Sequence, residues 1–79
     1  MKSPIRRWLA QEIIHQSESH RQAVISIDAR GEFDIVPYSE ETAATSFFNG
    51  SIHVYKLPEG GTELEFREYG GRVHKELFR

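Results

Sequence analysis

Four glycine-containing bends govern what this chain can fold into: Ala29-Arg30-Gly31, Asn49-Gly50, Pro58-Glu59-Gly60 and Gly70-Gly71. A hairpin bend decides which residues face each other, and opposed residues must share one face of the sheet. A three-residue loop at Ala29-Arg30-Gly31, with Gly31 left-handed, opposes Ile27 to Phe33 and Ile25 to Ile35. Asn49-Gly50 read as a type I′ turn opposes Phe47 to Ile52 and Thr45 to Val54. Pro58-Glu59-Gly60 opposes Val54 to Leu64 and Ile52 to Phe66. Gly70-Gly71 as a two-residue turn opposes Leu64 to Leu77 and Glu68 to Val73. These readings put Ile52, Val54, Leu64, Phe66, Val73 and Leu77 on one face, with Lys75 beside them as an inward guard of the last edge or a side chain snorkelling at the rim.

Residues 22–78 therefore predict six antiparallel strands in meander order. Ser39 is also placed to cap a helix over "EETAATSFF", but two threonines and two phenylalanines favour a strand. Residues 4–16 stay open. Ser3-Pro4 suits a helix start and Ile5, Trp8, Leu9 and Ile13 recur at helical spacing, while Trp8, Ala10 and Ile14 alternate as in a strand. The fold class is mainly β: residues 1–79 form one small domain, an antiparallel meander of six to seven strands curled into a sandwich or roll. The alternative is α+β, with a helix at 4–16 packed on the sheet.

Seventy-nine residues without cysteine exclude disulfides and thiolate metal sites, so a thin core gains from association. The N-terminal run lacks an uninterrupted apolar stretch and a cleavage site, and no segment reaches spanning length. The expectation is a cytoplasmic protein with no membrane partner. Residues 1–30 carry five Lys/Arg against three Asp/Glu, and residues 31–79 five against nine. No long basic surface serves a phosphate backbone, so nucleic acid is not an expected partner.

The layout "RRWLAQEII", "VISIDARGEFDIVPY" and "EETAATSFFNGSI" resembles the N-terminal β-domain of metal-dependent amidohydrolases over residues 5–54. The short matches are Ala10, Ile27-Asp28, Gly31 and Phe48-Asn49-Gly50. In that family a His-x-His metal motif and a barrel follow. Here "SIHVYKLPEGG" has His53 with no second histidine two residues on, so no catalytic or metal residue carries over. The resemblance implies a stand-alone β-domain without the enzyme, and a strand over residues 5–14.

On the face opposite the core, the registers align His53, Glu65 and Glu76 across three strands, a candidate ligand set for a divalent metal. Ser51, Arg67 and His74 form the adjacent row. The bland alternative is a solvated, charged sheet face. Phe48, Tyr55, Tyr69 and Phe78 fall on that outward face too, with Val24 opposite Val36. They are either a second core layer or an interface for a protein partner or a second copy of the chain. No nucleophile elbow, phosphate loop or cofactor motif is present. The expected function is that of a non-catalytic β module acting through protein contacts, with metal or small-ligand binding at the His/Glu row as the alternative.

Overall fold

The computed structural model describes residues 5–39 and 46–79. Six strands form one mixed sheet: β1 (Ile5–His15), β2 (Glu18–Asp28), β3 (Phe33–Pro37), β4 (Ser46–Lys56), β5 (Thr62–Glu68) and β6 (Val73–Phe78), in the order β3-β2-β1-β4-β5-β6. Ile5–His15 is extended, so the helical alternative for residues 4–16 does not apply to the described part of that segment. Among the described residues, no helix is long and apolar enough to cross a membrane.

Each half of the chain is a three-stranded antiparallel meander, and the halves join where β1 and β4 run parallel. This corrects the single continuous meander expected from the bends. The expected strand over residues 40–48 lies mostly outside the described residues, and Ser46–Lys56 is one strand running straight through Asn49-Gly50. A type I′ turn needs positive φ at both central residues, and neither Asn49 nor Gly50 has it. Gly50 is required for space instead: a Cβ there would meet the Arg67 carbonyl oxygen at 2.1 Å. Against β1, Asn49-Gly50 forms an irregularity, with Ala10 opposite Phe48 and Glu12 opposite Ser51.

The bend with true type I′ character is Gln16-Ser17, with φ of 51° and 68° and no glycine to announce it. It joins His15, the last residue of β1, to β2, which holds His20. The other three bends share one pattern. Asp28 N–H donates to Glu32 O, Leu57 N–H to Gly61 O and Glu68 N–H to Arg72 O. In each, the third loop residue is a left-handed glycine: Gly31, Gly60 or Gly71.

The last bend is therefore Tyr69-Gly70-Gly71, a three-residue loop, and β6 is shifted by one residue from the sequence reading. Arg67 faces Val73, Glu65 faces Lys75 and Leu64 faces Glu76. A one-residue slip turns every side chain to the opposite face. Val73 and Leu77 are thus exposed, and Phe78 is buried. His74 stacks flat on Phe66, with ring centroids 4.7 Å apart. Burying the larger Phe78 and covering Phe66 gains more apolar contact than burying Val73 and Leu77 would. Lys75 points outward, so it is not an inward guard.

The sheet curls. Its smallest extent is 21 Å, although two whole sheets stack only about 10 Å apart. The concave side holds Ala10, Ile13, Ile25, Ile27, Ile52, Leu64 and Phe66, all essentially buried. Trp8 spans this space, edge-on to Phe66 at 5.0 Å and to Phe78 at 6.3 Å. Inward residues change parity in β1 beside Gln11, where Gln22 of β2 takes φ +47°. The bent β1–β2 hairpin brings His15 edge-on to Phe33 at 5.0 Å.

Closure occurs at Gly31. Thr62 Oγ1 donates to the Gly31 carbonyl at 2.6 Å, and a Cβ on Gly31 would lie 2.6 Å from the Phe78 carbonyl oxygen. Across the concave mouth, Arg6 pairs with Glu76 at 2.8 Å and lies over the Trp8 ring at 4.5 Å. Gly31→Ala combines left-handed strain, about 1–2 kcal/mol, with a backbone clash, and Gly71→Ala meets open space. Urea melts should show Gly31→Ala destabilising by more than ~2 kcal/mol and Gly71→Ala by only ~1 kcal/mol.

Candidate functional site

The convex face carries the rows that the bends were expected to organise. His53 faces Glu65 as read from the sequence, but the third position is Lys75. Glu76 is on the concave side, held by Arg6. His53, Glu65 and Glu76 are therefore not a row, and the candidate ligand set comes apart through the β6 slip. His74 likewise leaves the Ser51–Arg67 row, where Val73 takes its place. Glu65 is itself the anionic centre of the face. Its side chain, only 11% exposed, accepts from Arg67 Nε at 2.6 Å and lies 3.9 Å from Lys75 Nζ. Two cationic side chains thus share this one carboxylate. Among the described residues, no cluster of three or more His, Asp or Glu side chains is placed to hold a metal.

The four aromatics expected on this face divide. Tyr55 and Tyr69 are exposed on the convex side. Phe48 and Phe78 belong to the concave core, where Phe48 is edge-on to Phe66 at 5.2 Å. Their neighbours replace them outside: Phe47 is 59% exposed and Leu77 49%.

A different apolar row emerges from the β1–β4 pairing. Val36, Val24, Leu9 and Phe47 lie side by side across β3, β2, β1 and β4. Val24 is fully buried, Leu9 partly, and Val36 and Phe47 are open to solvent at the two ends. Tyr38, 48% exposed, extends the row. Leu9, Gln22, Tyr38 and Phe47 line a groove of about 220 Å³ there. The Val24–Val36 pair was visible from the first bend. Leu9 and Phe47 were not, because no turn connects β1 to β4.

A second concavity, about 620 Å³, opens where three bends converge, between Gln16, Arg30, Lys56 and Pro58. Thr62 and His15 also line it. Thr62 spends its hydroxyl on Gly31, His15 presents its ring to Phe33, and His15 Nε2 is buried with no hydrogen-bond partner among the described residues.

Comparisons with protein-family models, curated proteins and solved structures find no match.

Removing Arg67 leaves the mostly buried Glu65 carboxylate with one distant cation. Arg67→Ala is expected to cost about 1–3 kcal/mol in a urea melt. Zinc added to the wild type should leave both the melting temperature and the His53 ring resonances unchanged, since Lys75 stands beside Glu65.

Proposed function

We propose that this protein is a non-catalytic β module that works through contacts with another protein, using the convex apolar row of Val36, Leu9 and Phe47 with Tyr38. The observation that carries this reading is the groove that exposed Phe47 and Tyr38 form with partly buried Leu9, with Val36 exposed at the far end of the same row. Isolated exposed apolar residues are ordinary, whereas a contiguous row beside a groove is the usual mark of an interaction surface. The core supports the same reading. A single curled sheet in a chain of this size buries a small core, so association adds stability.

Thr62 and His15 take part in closing and packing the fold. Kinship with the β-domain of amidohydrolases, without barrel or metal motif, belongs to the same proposal. Ile27-Asp28 and Gly31 occupy the hairpin that the resemblance implies, and Asp28 Oδ1 accepts from the Arg30 and Glu32 amides to stabilise it. Asn49-Gly50, which the resemblance takes as a strand end, lies inside β4.

The test is affinity capture from the native cell with the wild type and with a Tyr38→Ser, Phe47→Ser variant. The expected result is a partner enriched by the wild type at least tenfold over the variant, both proteins melting within a few degrees of each other. Equal recovery with the two baits removes the reading.

A further inference from the structure

Strand β6 is an edge, and its pattern is self-complementary. The Glu68–Arg72 hydrogen bond sets the alternation along the strand. His74, Glu76 and Phe78 direct their backbone groups to β5. Val73, Lys75 and Leu77 direct theirs outward, where no described strand pairs with them. An unpaired row of this kind is a template for another strand. The outward side chains are also apolar at both ends, with Val73 55% and Leu77 49% exposed.

The geometry points to a second copy of this chain as the occupant, with the two β6 strands paired antiparallel about a two-fold axis at Lys75. Centring on Lys75 uses all three outward-facing residues of each strand. Val73 of one copy then meets Leu77 of the other, twice, and His74 meets Glu76, twice. A register two residues further along instead sets Glu76 against Glu76, and one two residues back sets His74 against His74. The cost of the chosen register is Lys75 opposite itself. Glu65 is shared between Arg67 at 2.6 Å and Lys75 at 3.9 Å, so each lysine charge is only partly offset and the repulsion weakens association without forbidding it. Both core faces lie on one side of the joined sheet, as an isologous two-fold contact requires. This interface is separate from the Val36–Phe47 row and stands independently of the proposed function.

Sedimentation equilibrium over a concentration series is expected to show a reversible dimer. Lys75→Thr should tighten it by up to roughly fivefold, the scale of a like-charge cross-strand pair. Lys75→Pro deletes an outward amide at a position where an edge strand tolerates proline, and should leave only monomer. The chain has no cysteine, so Lys75→Cys places one thiol beside its own copy on the axis. Under mild oxidation it should cross-link at least tenfold faster than Glu59→Cys on the β4–β5 loop, a readout that holds even if Lys75→Pro misfolds. Monomer at all concentrations for both wild type and Lys75→Thr overturns the proposal, as do equal cross-linking rates for the two cysteine variants. The Tyr38→Ser, Phe47→Ser variant should dimerise as the wild type does. A dimer lost in that variant alone would assign self-association to the apolar row and overturn the β6 contact.

Discussion

The contact that the structure depends on is the approach of Gly31 to the end of the sheet. A single sheet of six strands has a hydrophobic face, and among the described residues no second layer covers it. This chain covers that face by bending it inward until the β2–β3 loop reaches Thr62 and the Phe78 carbonyl. Only a residue without Cβ can make that approach, and the same residue must be left-handed to close its own hairpin. One position thus carries two demands, a local one on backbone angle and a distant one on space. Trp8 then fills the volume that the curl encloses, and Arg6 shuts its mouth with an ion pair to Glu76 and a face-on contact to the indole.

Local turn chemistry was the part of the fold legible in the sequence. The Ala29-Arg30-Gly31 and Pro58-Glu59-Gly60 loops could be read because each has a glycine in third place and only one register makes the flanking residues alternate. Gly70-Gly71 misled for a definite reason. Two adjacent glycines satisfy a two-residue turn as well as the last two places of a three-residue loop, and the apolar pattern of "VHKELF" fits either face. What decides is Phe78, whose burial against Trp8 depends on the curl and so on contacts far along the chain. Asn49-Gly50 misled differently, since its glycine answers a need for space beside Arg67 and not for angle. Gln16-Ser17 is left-handed at two ordinary residues and leaves no trace in composition.

The candidate surfaces inherit these outcomes. Because β6 is turned over, the acidic side chain expected beside Glu65 is replaced by a cationic one, and a possible chelate becomes a network of ion pairs. Because β4 joins β1 rather than folding back on itself, Phe47 and Phe48 exchange sides, and an apolar row forms across four strands that no turn connects in series. Exposure of single residues was a poor guide here. The neighbours that strand order supplies determine whether they add up to a surface.

The parallel seam between β1 and β4 has a consequence for how the molecule assembles. Hairpins within each half form between nearby residues, but Trp8 must find Ser46 and Ile13 must find Ile52 before the halves become one sheet. Contacts at such separation form late and slowly in a chain of this size. Until they do, β1 and β4 each present a long unpaired flank with Ala10, Ile13, Ile52 and Val54 uncovered. The innermost strands of the finished fold are thus its outermost during folding, and the interval before they meet is when the nascent chain most needs protection from its neighbours.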